Sequence, residues 1–222
     1  MKVLMLTHSA GFKHSYLPIA ERRIGALGRE SGRFEAVTGD DCQMISAESL
    51  RDCDVLIFAT TGELPMSEAQ KRAILEFVGG GKGFFGIHNA ADTFYQWPEY
   101  GRMLGGYFSA HPWTQEAIVR VEDRNHPATR MLPARLRVFD EFYTYRDWDR
   151  NKTHVLMSLD NSSIDLSKGN RADHDYALAW CHSYGRGRVI YSGLGHPDEL
   201  WDQDWFGQHI LGCILWAAGQ AS

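Results

Sequence analysis

The chain has 222 residues, 28 acidic against 23 basic side chains and a formal net charge of -5, enough to bury one well-formed core. Charges of both signs are interspersed, which argues against nucleic acid as a partner, and no run approaches the roughly 20 apolar residues that span a bilayer. Cys42, Cys53, Cys181 and Cys213 are widely spaced with no C-x-x-C, a pattern that indicates neither a zinc knuckle nor a disulfide framework but free thiols near a core.

Met1-Lys-Val-Leu-Met-Leu6 is apolar, yet the run breaks at Thr7-His-Ser9 and no cleavage-like segment follows. It reads as a buried first strand, Val3 to Leu6, rather than a secretory leader, and the expected location is cytoplasmic. A loop then leads to Leu17 to Leu27, whose apolar spacing suits an amphipathic helix. Phe34 to Val37 and Val55 to Ala59 read as strands, the second a fully apolar run of the kind covered on both faces. Pro65-Met-Ser-Glu68 opens another helix, with Ser67 placed to cap it, Ile74, Leu75, Phe77 and Val78 on its inner face and Gly79-Gly-Gly81 stopping it. Phe84 to Ile87 is the next strand. This alternation predicts an α/β, flavodoxin-like, mostly parallel sheet with helices on both faces.

From about Gln115 to Leu159 the pattern changes. Ala117 to Val121, Leu136 to Tyr145 and Val155 to Leu159 read as successive strands, an antiparallel extension of the sheet. After a polar loop, Asn161 to Asp175, come Ala177 to Cys181, the turn Tyr184-Gly-Arg-Gly187 and Arg188 to Ser192, a hairpin. Trp205 to Ala218 closes the chain as a helix with Phe206, Ile210, Cys213, Ile214 and Ala217 on one face. No Pro/Ser-rich or charged stretch divides the sequence, so a single domain over 1–222 is expected.

Chemistry concentrates at strand ends. Gly83-Phe-Phe-Gly-Ile-His88-Asn-Ala-Ala-Asp92 is an apolar strand that stops at a histidine, an asparagine and an acid, and in open α/β sheets ligands sit at the carboxyl ends of strands. Gly195-His196-Pro-Asp198-Glu199 ends another strand the same way, with acids that could orient the imidazole or act themselves. His14, in the loop after the first strand, lies at the same face. His111-Pro-Trp113 is read as a loop, where Trp113 is a candidate surface for a sugar ring and equally a tryptophan packed under its neighbours. In Asp140-Glu141-Phe-Tyr143-Thr-Tyr145 strand alternation points the two acids opposite ways, one to the site and one to solvent. The remaining histidines, His8, His126, His154, His174, His182 and His209, read as ordinary surface or core residues. Histidines and acids converging on one face would also satisfy zinc or another divalent ion, but no H-x-x-x-H or H-E-x-x-H pair accompanies them, so a metal is left open.

Together, Thr7-His-Ser-Ala-Gly-Phe-Lys-His14, Phe58-Ala-Thr-Thr-Gly62, Gly83 to Asp92, Gly105-Gly-Tyr-Phe-Ser-Ala-His-Pro112, Asp140-Glu-Phe-Tyr143 and Gly187-Arg-Val-Ile-Tyr-Ser-Gly-Leu-Gly-His196 resemble the trehalose-utilisation (ThuA-like) family, within the class I glutamine amidotransferase-like superfamily. The resemblance covers nearly the whole chain. Amidotransferases of that superfamily keep a cysteine nucleophile on the elbow after a strand and pair it with a histidine in a His-Pro-Glu-like run. Here His88 stands at the elbow and His196-Pro-Asp-Glu199 looks like the retained second fragment. An imidazole there cannot form a thioester, so glutamine hydrolysis is not expected.

The resemblance implies carbohydrate metabolism instead, in company with sugar oxidoreductases that yield 3-keto derivatives of trehalose and related disaccharides. A C3 ketone acidifies the C2 proton, so a base can remove it, the C1 substituent leaves and water adds to the enone. On that reading His88 or His196 is the base and Glu141 or Glu199 the acid or orienting group. His14, Asp92 and His111 hold sugar hydroxyls or the enolate oxygen, directly or through a metal, and Trp113 and Tyr143 line the pocket. The alternatives are a hydrolase or isomerase of another small polar molecule on the same fold, and a non-catalytic sugar-binding module. Trp97, Trp148, Trp201 and Trp205 would serve a core, a pocket or a subunit interface alike, which leaves a homo-oligomer open.

Overall fold

The computed structural model describes residues 1–220. In β1 (Lys2–Leu6), Val3 and Met5 pack into one apolar layer and Leu4 and Leu6 into another, so the strand is buried on both faces. That is what a continuous apolar run demands. α1 (Leu17–Ser31) follows, with a proline in its first turn and a left-handed Gly32 ending it. Next come β2 (Glu35–Gly39), the short α2 (Ala47–Arg51) and β3 (Val55–Phe58). α3 (Glu68–Gly79) is capped as the sequence predicts: the Ser67 hydroxyl accepts from the Gln70 N–H, and the Gln70 side chain accepts from the Ser67 N–H. β4 (Gly83–Ile87) leads through a 3-10 turn at His88–Asp92 to α4 (Pro98–Leu104). β5 (Tyr107–Val121), β6 (Arg135–Arg146), β7 (His154–Leu159), β8 (Ala177–Tyr184), β9 (Gly187–Ser192) and α5 (Asp204–Ala217) complete the chain.

The nine strands of the described residues form one sheet in the order β2-β1-β3-β4-β9-β8-β7-β5-β6. The first five are parallel, and from β9 onward every neighbour is antiparallel. The fold is therefore the flavodoxin-like α/β class with an antiparallel extension. α1 and α5 cover one face, while α2, α3 and α4 cover the other. Among the described residues no helix is long and apolar enough to cross a membrane.

The segment around His111 departs from expectation. His111 and Trp113 lie in β5, which starts ten residues before Ala117, not in a loop. Register shifts at Phe108–Ala110 and Ala110–Trp113 break the period-2 pattern there, and Pro112 sits at such an irregularity, where a missing N–H is tolerated. β5 pairs with β7 only through Val119, Arg120 and Val121. The rest of the β5–β6 ribbon leaves the sheet and packs back over the strand ends, where the Tyr145 hydroxyl donates to that of Tyr191 on β9 at 3.2 Å. This return brings a distant hairpin to the carboxyl ends of the parallel strands.

Candidate functional site

β4 ends in an elbow. His88 has φ of 40°, a left-handed conformation uncommon for a non-glycine residue. It costs on the order of 1–3 kcal/mol and persists only where neighbours hold it. Two do so: the Tyr191 hydroxyl donates to the His88 carbonyl at 2.6 Å, and His88 Nδ1 lies 2.8 Å from the Gly193 carbonyl. A carbonyl only accepts, so Nδ1 carries a proton, and in the neutral ring Nε2 presents a lone pair. Gly193 must be glycine, since a Cβ there would stand 2.2 Å from the Tyr145 hydroxyl.

His196 arrives from the loop after β9. Gly195 turns that loop with φ of 128°, and fully buried Asp140 anchors it by accepting the backbone N–H groups of Gly195 at 2.8 Å and His196 at 3.1 Å. Of the two adjacent acids, then, Asp140 is not the solvated one. Alternation along β6 sends Val138, Asp140 and Phe142 into the core and Glu141 towards the strand ends. Glu141 Oε2 lies 3.1 Å from His196 Nδ1 and 3.5 Å from His88 Nε2, while Oε1 lies 3.3 Å from His111 Nδ1. His196 Nδ1 is 3.3 Å from His88 Nε2. His14 closes the group, its ring centroid 5.3 Å from that of His88 and 5.2 Å from that of His196. Tyr143 lies against His88 at 4.1 Å between centroids, and Phe108 against Tyr143 at 4.4 Å.

The charges are strongly coupled. Burial pushes the Glu141 carboxyl up, but its contacts with the His196 and His88 rings outweigh it and hold the group well below the ordinary carboxylate range. His196 is raised, first by its hydrogen bond to Glu141. His14 falls to about 3 because it is buried and because His88 and His196 repel a further charge. Burial raises Asp92, whose carboxylate accepts the Tyr95 hydroxyl at 2.5 Å. Exposure is graded, from 0 % for the His88 side chain through 31 % for His196 to 52 % for His111. The cluster opens to solvent on the His111 side.

Of the residues singled out in the sequence, His14, His88, His111, Glu141, Tyr143 and His196 come together, with Asp92 next to His88 in the 3-10 turn after β4. Glu199 does not join them. It is exposed on the turn Asp198–Asp202 and faces a groove with Arg137, Phe139 and Trp205. Glu141, not Asp198 or Glu199, contacts the His196 ring, and Asp198 instead accepts the Ser15 hydroxyl at 2.9 Å. Trp113 is a core residue, 1 % exposed, edge-on to Tyr176 and donating from Nε1 to the Asp165 carbonyl at 3.0 Å. Trp97, Trp148 and Trp201 are likewise buried within the chain. Sequence reasoning missed Tyr16, which donates to the Asn89 side chain and stacks on Trp201. It also missed Phe12, exposed beside His14. Phe12 falls within the Gly-Phe-Lys-His14 run, the one signal that could have marked it. The elbow position carries His88, and all four cysteines are buried and free elsewhere.

The family model for trehalose utilisation, ThuA, matches residues 2–217. The chain belongs to the ThuA family. Membership ties it to a carbohydrate-related role. The ThuA chain is similar over its whole length to a ThuA-like protein of Bacteroides uniformis, at 23% identity, TM-score 0.82 and 93% coverage of that chain. A ThuA-like protein of Parabacteroides merdae matches it at 19% identity and TM-score 0.78, covering 100% of this chain and 91% of that one. A cytoplasmic protein of Salmonella typhimurium is similar at 11% identity and TM-score 0.62, covering 97% of this chain and 98% of that one. At these identities the likenesses show the ThuA fold. No curated protein matches the chain.

Proposed function

We propose that the cluster at the strand ends is the active site of an enzyme that cleaves 3-keto-glycosides of the trehalose type by elimination. The observation that carries this reading is Glu141 in contact with three imidazoles, His88, His111 and His196, at the carboxyl end of the parallel strands. Family membership supplies the carbohydrate class. The ketone at C3 makes the C2 proton acidic, and His111 removes it. Its exposure favours it over the buried His88, and Glu141 Oε1 at 3.3 Å stabilises the imidazolium that forms. The electrons pass through the enolate and break the bond from C1 to the glycosidic oxygen. The imidazolium returns its proton to that oxygen, and water adds to C1 of the enone.

His196, raised by its hydrogen bond to Glu141, carries the positive charge that holds the enolate oxygen. Asp92 and Tyr95 bind sugar hydroxyls, and Phe12 and Phe108 offer ring faces in place of Trp113. The substrate has to be supplied by a sugar oxidoreductase that oxidises C3. We place the reaction in the cytoplasm, because four buried free cysteines suit a reducing compartment.

The test follows free sugar released from a 3-keto-disaccharide, and deuterium entering C2 from solvent. Wild type releases sugar and exchanges C2. His111→Ala loses about 10²–10⁴-fold of the release rate, as expected for a general base. Equal, slow release by wild type, His111→Ala and His88→Ala abandons the reading, and turnover of simple esters or amides without C2 exchange redirects it to a hydrolase.

A further inference from the structure

We propose that His14, His88, Glu141 and His196 bind a divalent transition-metal ion of the zinc type. Three donor atoms, His88 Nε2, His196 Nδ1 and Glu141 Oε2, form a triangle with edges of 3.3, 3.1 and 3.5 Å. A tetrahedral ion with bonds of about 2.0–2.1 Å sets neighbouring donors about 3.3–3.4 Å apart. With a ring nitrogen of His14 added, the four donors all lie within 4.8 Å of one another.

Two further observations point to a cation rather than to a hydrogen-bonded cluster. The Gly193 carbonyl accepts from the His88 Nδ1–H, so in the neutral ring Nε2 turns a lone pair towards a carboxylate oxygen, and only His196 has a proton to place between them. A ligating histidine with its other N–H on a backbone carbonyl is the usual second layer of a metal site. His14 is 5% exposed and its Nδ1 has no hydrogen-bond partner. This buried ring also brings one of its nitrogens within 4.8 Å of the other three donors, where a bound ion would give it a partner.

Three imidazoles and one carboxylate select zinc, cobalt, manganese or iron over magnesium and calcium, which prefer all-oxygen sites. Four protein donors fill a tetrahedral shell, so a small molecule approaching from the open side towards His111 binds as a fifth ligand. If the ion takes the C3 ketone oxygen it provides the positive charge invoked above, and in that role it rests on the sugar reading. Its binding does not.

The purified chain is stripped with chelator, dialysed and titrated separately with Zn²⁺, Co²⁺ and Mn²⁺. A single equivalent of at least one metal is expected, with a concentration-dependent rise in Tm and, for Co²⁺, visible d–d absorption of a low-coordinate site. His14→Gln and Glu141→Gln are expected to weaken binding at least about 10–100-fold, the loss seen when only a ligand's supporting partner is removed, whereas His154→Ala leaves it unchanged. The proposal fails if wild type holds less than about a tenth of an equivalent of every metal, or if both variants bind as tightly as wild type. Should the variants misfold by circular dichroism, wild-type stoichiometry and the Co²⁺ spectrum decide. Sugar release without metal binding removes this proposal and leaves the sugar reading standing; metal binding without sugar release does the reverse.

Discussion

Replacing Glu141 by Gln keeps the shape of the side chain and removes the charge that His88, His111 and His196 share. Release of sugar is expected to fall about 10²–10⁴-fold, read from initial rates, with the fold intact by circular dichroism. Trp113→Ala is the opposite case. The indole is buried, packs on Tyr176 and donates to the Asp165 carbonyl, so its loss should cost about 3–5 kcal/mol in a denaturant titration and leave KM unchanged. His14, His88 and His196 could be picked out because strand ends are legible as apolar runs that stop. Glu199 and Trp113 misled for a related reason. Adjacency in sequence to a site histidine does not fix side-chain direction, and the exposed turn after Pro197 carries Glu199 away while β5 turns Trp113 inward.

The elements that supply the site differ in how they are held. Asp140 ties β6 to the loop after β9 through the N–H groups of Gly195 and His196 and also accepts the Glu141 N–H at 2.8 Å. Asp140→Asn sets an amide donor against those donors at a cost of about 1–3 kcal/mol. Faster amide hydrogen exchange at Gly195 and His196 is expected, together with a lower Tm. Ser67→Ala removes the α3 cap, far from the histidines. It should cost about 1 kcal/mol in urea unfolding with the rate of sugar release unchanged. The parallel half of the sheet was readable because β1, β3 and β4 are short apolar runs separated by helical periodicity and glycines. α2 and α4 escaped notice because five- and seven-residue helices are too short to show a period. The return of the β5–β6 ribbon over the strand ends was beyond reach, since its bulges erase the alternation that would reveal it.

At the scale of the molecule, two histidines outside the site make stability pH-dependent. His209 is fully buried between the Ala128 carbonyl and the Ser192 hydroxyl, and burial brings it down to about 4. Burial likewise lowers His126 to about 4. Both lie below the ordinary value of about 6.5, so between about pH 6.5 and 4 the unfolded chain binds protons that the folded chain refuses, and stability falls as pH drops through that window. The full loss is on the order of 3 kcal/mol for each. Urea unfolding free energies at pH 7, 6 and 5 should show the decline, and His209→Asn should flatten it. β9 lies between β4 and β8 in the middle of the sheet, although among the described residues only the short 3-10 turn at Asp198–Asp202 and α5 follow it. A chain emerging from the ribosome therefore completes its first parallel strands with β4 as a bare edge and must wait for Gly187–Ser192 to fill the gap. Such long-range closure is slow, and the waiting edge is open to association with other chains. Because His196 follows β9, no nascent intermediate carries the assembled histidine cluster, which comes together only once the sheet has closed.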